Sequence, residues 1–305
     1  MSSPGAGAQA SLAQGVPHHD KWIADYAELT KPRITALILM STLVGFYLGS
    51  PSDLNLSLLL HTLLGTALVA GGTATLNQFW ERAADGKMLR TKDRPLPAGR
   101  MEPWKALCFG LILSAAGILY LGVQANVLTA LLATLTLTSY LFLYTPLKKR
   151  TPLCTLVGAF PGACPPLIGW VAARGDFTLG AGILYLILFL WQFPHFLSIA
   201  CLYREDYARG GIVMLPVIEP QGEATGRQIM LYCAALLPAS LLPSLFGVTG
   251  WVYLSGALML STAFLHCGVR AARERTKVQA RRLLQASVVY LPLVYGLMML
   301  DKIIP

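Results

Sequence analysis

Lys, Arg, Asp and Glu are absent from seven long stretches of the chain: residues 34–52, 54–80, 106–147, 151–173, 177–203, 228–269 and 283–300. A helix crosses a bilayer core with roughly 20 apolar residues. Two of the stretches are 42 residues long, and each holds a natural break, "GVQAN" at 122–126 and "GVTG" at 247–250. The pattern predicts an all-α, polytopic membrane protein: a bundle of nine transmembrane helices forming one domain over residues 31–305. Residues 1–30, rich in Ala, Gly, Ser and Gln, read as a disordered N-terminal tail in which His18 and His19 are solvated.

Charge gives the bundle a direction. With the N-terminus inside, 22 of the 24 Lys and Arg residues fall in inside segments, and only Arg174 and Lys302 fall outside. Such a bias marks the cytoplasmic face. The formal charge of +9 is then a topology signal. No basic segment is long or interleaved with aromatics, which argues against nucleic acid as a partner. Composition agrees: 55% of residues are hydrophobic and 13% charged, against about 25% charged in soluble domains. The tail has neither Arg nor an apolar core, so it resembles neither a signal peptide nor a presequence. The six cysteines form no CxxC pair and read as small buried thiols.

Where the second stretch ends, the chain reads "NQFWERAADGKMLRTKDRPLPAGR". Asn77, Glu81 and Asp85 are spaced four apart. On a helix, eight positions return to within about 80° of the start and each step of four climbs about 6 Å, so the three side chains form one stripe. Oxygen ligands of this kind suit Mg²⁺ bridging a polyphosphate. Asn77 lies inside the charge-free stretch, where polar groups tend to line cavities. Other inside loops repeat the theme. "YTPLKKRT" carries Tyr144, Lys148, Lys149 and Arg150, and "YREDYARGG" carries Arg204, Glu205, Asp206 and Arg209. One membrane face thus gathers acidic metal ligands and basic phosphate ligands, as a site for an anionic headgroup with its tail in the bilayer.

With "YTPLKKRTPLCTLVGAFPGACPPLIGW", "FLWQFPHF" and "YREDYARGGIVMLPV", these segments resemble the UbiA superfamily of intramembrane prenyltransferases, in particular the branch that prenylates haem. The resemblance covers nearly the whole chain after the tail. It maps the superfamily's N-x3-D-x3-D motif onto Asn77, Glu81 and Asp85, with Glu in the middle position. Of the second motif, D-x3-D, Asp206 fits the last position. The first falls at Leu202, which cannot bind metal, and Glu205 is a weak substitute. The Tyr-x3-Lys element maps onto Tyr144 and Lys148.

The activity this implies is transfer of farnesyl from farnesyl diphosphate to a vinyl group of haem B, with water added, giving haem O for haem-copper oxidases. Mg²⁺ is the implied cofactor, held by Asn77, Glu81, Asp85 and Asp206. Arg90, Arg94, Lys148, Lys149 and Arg204 are the implied diphosphate ligands. Membrane lipid surrounds the protein, and haem A synthase or oxidase assembly factors are implied partners. The implied location is a bacterial plasma (inner) membrane, with the N-terminus and active site cytoplasmic. An allylic cation needs aromatic faces. Tyr144, Phe79, Trp191 and Phe193 are available, and only Tyr144 is favoured over ordinary packing. His195 reads equally as a haem ligand or propionate partner and as a histidine bonded inside the bundle. His61 and His266 read as structural. Pro161, Pro165 and Pro166 must interrupt the fifth helix, shaping a cavity wall or only kinking the helix. Two alternatives stand beside this reading: prenylation of a quinone precursor or a chlorophyllide, and a cation-coupled transporter. The second is disfavoured because the polar residues gather at one face rather than at the midplane.

Overall fold

The computed structural model describes residues 18–51 and 53–303 of the chain. Among them are nine helices long and apolar enough to cross a membrane. A preceding helix, α1 (His18–Leu29), leads into α2 (Pro32–Gly49), α3 (Leu56–Asp85) and α4 (Pro103–Gln124). The fourth crossing begins as α5 (Val127–Thr138), widens into a π turn at Ser139–Tyr144, and closes as α6 (Thr145–Leu147). The fifth is split into α7 (Cys154–Gly162) and α8 (Pro165–Arg174). Then come α9 (Leu179–Leu202) and two short loop helices, α10 (Arg204–Arg209) and α11 (Leu215–Ile218). The chain ends with α12 (Glu223–Leu245), α13 (Trp251–Glu274) and α14 (Lys277–Leu300).

In a bilayer the hydrophobic effect does not press helices together, so close backbone approach has to. Small residues provide it here. A Cβ on Gly169 would sit 1.9 Å from the Thr42 carbonyl oxygen, and one on Gly45 would sit 2.0 Å from that of Pro166. These contacts lock α2 onto α8. Gly72, Gly110 and Gly117 do the same between α3 and α4. On the outside, Leu119, Val123, Met259 and Leu300 stand more than two-thirds exposed, as lipid-facing side chains should.

Helix α1 corrects the expected tail. Residues 18–29 are helical because partners far along the chain hold them. Leu29 is fully buried and Tyr26 meets Phe109 edge-on at 4.8 Å. Arg100 bonds Asp25 and Glu28, each at 2.9 Å. The expected disorder of residues 1–17 and the side chains of His18 and His19 lie outside the described residues.

The prolines act as expected. The fifth crossing breaks at Ala163 and Cys164, where Pro165 and Pro166 offer no N–H to the preceding turn. Gln192 Nε2 reaches across from α9 to the Ala159 carbonyl at 3.1 Å. The break faces an apolar cavity, which Pro161, Gly162 and Pro165 help to line. The connections that carry the basic residues meet at one end of the bundle. Of the two cations left at the other end, Arg174 pairs with Asp176. Lys302 bonds the Tyr47 and Ser50 carbonyls at 2.7 and 2.6 Å, capping α2.

Candidate active site

Helix α3 places its stripe as the spacing predicts. Asn77 and Asp85 are buried at 1% and 2% exposure, and each of the three side chains of the stripe meets a basic one. Lys31 Nζ donates to Asn77 Oδ1 at 3.1 Å. Lys148 Nζ lies 2.8 Å from Glu81 Oε1. Arg94 bonds Asp85 Oδ2 at 2.7 Å. Two basic connections and the entry to α2 therefore converge on one helix end.

The π turn carries two of the groups that hold Lys148. Tyr140 and Tyr144, four residues apart, share a face of the helix, with ring centroids 5.0 Å apart. Lys148 Nζ sits 4.5 Å above Tyr144 and 5.9 Å from Tyr140. Gly158 makes room for the Tyr144 ring, which a Cβ there would meet at 2.6 Å. The Thr145 hydroxyl donates its one proton to the Tyr140 carbonyl at 2.9 Å. It can then only accept from Asn77, and it does so from Nδ2 at 3.3 Å. Asn77 Oδ1 is thereby aimed at Lys31 rather than at Thr145.

Lys31 is the residue the sequence reading missed. It precedes Pro32 in a left-handed conformation, φ 49°, at a cost of order 1–3 kcal/mol for a non-glycine residue. Burial, and then the nearby Arg94, push its ammonium down to about 7 against the pull of Glu81. Lys148 is the opposite case. Burial would lower it, but Tyr144, Glu81 and Tyr140 around it raise it well above the usual lysine value. The only sequence signal for Lys31 is a lysine placed directly against the first apolar run.

Not every expected residue joins this network. The Asp206 carboxylate accepts from the Leu89 backbone N–H at 2.8 Å and from Arg209. Burial would raise Asp206, yet Arg209 and the Leu89 N–H hold its carboxyl below the usual aspartate value. It fixes the α3–α4 connection to α10. Arg90 stacks on Tyr203 at 5.2 Å. Lys149 is exposed. Arg204 is placed elsewhere: it donates to the Pro220 carbonyl and lines a separate cavity of about 180 Å³ with Glu219, Arg275 and Lys277. Of the four aromatics, only Tyr144 stands at the network. Phe79 lies under Arg82, Phe193 stacks on Tyr232 at 3.6 Å, and Trp191 donates to the Ser287 carbonyl. His61 bonds Tyr120 at 2.7 Å.

Below the network opens an apolar cavity of about 150 Å³. Lys31 and Tyr140 stand at its polar end. Ile34, Ala70, Ala133 and Ile168 are among its walls, and Pro161 and Pro165 contribute the broken fifth helix. The donor set fits a hard cation. No group of three or more His, Cys, Asp and Glu among the described residues would hold a metal alone. Asn77, Glu81 and Asp85 instead offer two carboxylates and an amide oxygen, a set suited to Mg²⁺ that completes its shell with phosphate oxygens and water. A charged head and an apolar tail thus have adjoining places.

The sequence profile of the UbiA prenyltransferase family matches residues 38–291. A protoheme IX farnesyltransferase of Solibacter usitatus is 55% identical, over 91% of this chain and 98% of its own. One from Koribacter versatilis is 47% identical, over 92% and 94%. Two solved structures share the fold. A digeranylgeranylglyceryl phosphate synthase has a TM-score of 0.78 at 18% identity, covering 92% of this chain and 98% of its own. A UbiA homologue of Archaeoglobus fulgidus bound to GPP and Mg²⁺ has 0.64 at 15%, covering 90% and 99%. The chain belongs to the UbiA prenyltransferase family.

Proposed function

We propose that the chain transfers the farnesyl group of farnesyl diphosphate to a vinyl group of haem B, with addition of water, giving haem O. The observation that carries this reading is the charged network of Lys31, Asn77, Glu81 and Lys148 set across the polar end of an apolar cavity. High identity to protoheme IX farnesyltransferases supports the choice of acceptor. In the reaction the C–O bond between farnesyl and diphosphate breaks and diphosphate leaves with the electron pair. A vinyl carbon of haem forms the new C–C bond. Water adds to the other vinyl carbon and loses a proton.

Asn77, Glu81 and Asp85 would hold Mg²⁺, with Asp206 at the edge of the site, and the ion when bound would neutralise charge on the diphosphate. Lys31, Lys148 and Arg94 turn from their carboxylate and amide partners towards the leaving group, where fixed positive charge in a poorly hydrated site stabilises the anion best. Arg90 and Lys149 meet it from the loop side. The Tyr144 face lies beside Lys148 and shields the allylic cation, a contact of about 0.5–2 kcal/mol. The cavity keeps water from that cation until the vinyl group has reacted.

Cells expressing the chain are expected to yield an extracted haem more hydrophobic than haem B and heavier by one farnesyl group and one water. Unchanged haem beside a newly prenylated quinone precursor or chlorophyllide would transfer the reaction to another acceptor.

The basic face is proposed to be cytoplasmic, in a bacterial plasma membrane. In a cysteine-free background a cysteine at Gly122, where a Cβ meets only Ala130 at 3.6 Å, should react with an impermeant thiol reagent added outside. Cysteines at Lys92 and Lys149 should react only after the membrane is opened. The reverse pattern would invert the protein.

A further inference from the structure

We infer that the apolar cavity is a length gauge for the prenyl chain, with Thr66 and Ile168 as its floor and Ala70 as its midpoint. The inference rests on the proposed use of a prenyl diphosphate and assigns the residues that choose among prenyl lengths.

Helix α3 supplies one continuous stripe. Its cavity residues are Thr66, Val69, Ala70, Thr73 and Ala74, spaced three and four apart below Asn77. The same helical face therefore carries the diphosphate ligands above and small apolar groups beneath. Depth follows from helix geometry. Thr66 is eleven residues from Asn77, or roughly 16 Å along the axis, and Ala70 is seven, or roughly 10 Å. An extended isoprene unit of four C–C bonds spans on the order of 5 Å. Two units thus reach Ala70, three reach Thr66, and a fourth meets the floor.

The lining shows how the floor differs from the walls. Four threonines face the cavity: Thr35, Thr66, Thr73 and Thr136. Three turn their hydroxyls back onto backbone carbonyls, Thr35 to Thr30, Thr73 to Val69 and Thr136 to Leu132, at 2.8, 2.7 and 2.7 Å. They present methyl groups to the tail. Thr66 is 3% exposed and its hydroxyl has no hydrogen-bond partner. That oxygen is already shut off from solvent, so Thr66 meets the tail by its bulk. Ile168, 4% exposed, closes the same end from α8. Length is therefore limited by the volume that Thr66 and Ile168 leave at the closed end.

The test compares geranyl, farnesyl and geranylgeranyl diphosphates with haem B as acceptor, reading ratios of kcat/KM and competitive binding. Ala70→Leu should raise the geranyl-to-farnesyl ratio by roughly tenfold or more, the scale on which one or two methylenes discriminate in a pocket. Ile168→Ala should raise the geranylgeranyl-to-farnesyl ratio by a similar factor. Thr66→Ala, which lowers the floor from the α3 side, should move that second ratio in the same direction. Leu119→Ala, on the lipid face at 70% exposure, should leave both ratios where they are. Variants are checked by thermal unfolding, and Ala70→Val replaces Ala70→Leu if the latter does not fold. Unchanged ratios in folded Ala70 and Ile168 variants overturn the gauge. A wild type that binds the three diphosphates in order of fit but never transfers to haem would sink the acceptor reading and leave the gauge standing.

Discussion

Glu81→Gln is expected to lose roughly 100- to 1,000-fold in kcat, the usual consequence of removing one group that stabilises developing charge. The protein should remain folded. Gln keeps the shape of Glu and still offers an oxygen to Lys148, 2.8 Å away in the native protein. Removing one partner from a fully buried ion pair costs about 3–5 kcal/mol. Here both side chains keep some exposure, 12% and 13%, so the loss in stability should be smaller. The loss in rate arises differently. Without substrate, each ligand oxygen of α3 is matched by Lys31, Lys148 or Arg94. On the proposed reading, bound diphosphate would draw those side chains to itself, and the carboxylates would keep their charge only if a divalent ion took the place of the cations. Glu81→Gln removes charge from both arrangements, but in the first it still leaves an oxygen for Lys148. Farnesyl diphosphate should therefore raise the Tm of the wild type in a Mg²⁺-dependent way and fail to do so for Glu81→Gln. EDTA should reproduce the loss of activity in the wild type, reversed by added Mg²⁺. A variant within threefold of wild-type kcat would leave the Glu81–Lys148 pair with a purely structural role.

The parts of this arrangement that were legible in the sequence are those governed by local rules. Bilayer thickness demands long uncharged runs, so the nine crossings could be read directly. Helical periodicity placed Asn77, Glu81 and Asp85 on one stripe because all three lie on one unbroken helix. Three features depend on the fold and were hidden. Lys31 joins the site from 46 positions away, and nothing local separates it from the other lysines at membrane ends. The π turn that carries Tyr140 and Tyr144 was equally silent. Helix α1 looked like a tail because its composition is polar, while the groups that order it, Arg100 and Phe109, lie more than 70 residues on. Arg204 shows the converse failure. In sequence every basic loop on one face looks equivalent, yet the bundle divides that face between two cavities, and Arg204 lines the one away from α3.

His195→Ala is expected to weaken haem binding tenfold or more, while farnesyl diphosphate affinity stays within about threefold, under roughly 1 kcal/mol. The structure gives this residue a definite proton arrangement. The Ser287 hydroxyl donates to the Leu284 carbonyl at 2.6 Å, so towards His195 it can only accept. His195 Nδ1, 2.8 Å away, must then carry the ring proton and donate it. That leaves the Nε2 lone pair, the atom a neutral imidazole offers to haem iron. The ring is also held in place. Trp191 stacks on it at 4.6 Å and 20°, and Trp191 Nε1 donates to the Ser287 backbone carbonyl at 3.0 Å. A ligand histidine normally has its other nitrogen fixed by such a partner. Ser287→Ala should accordingly weaken haem binding in the same direction as His195→Ala but by less, since the imidazole remains and only its orientation loosens. Neither change touches the α3 network, so the diphosphate should not sense them. The measurement is a pair of titrations on each purified protein, haem by its Soret absorbance and farnesyl diphosphate by calorimetry. If His195 serves only to tie α9 to α14, His195→Ala will lower the Tm and weaken both substrates alike. The Soret band and haem affinity of the folded variant will then match those of the wild type once corrected for the unfolded fraction, and the haem iron must take its ligand elsewhere.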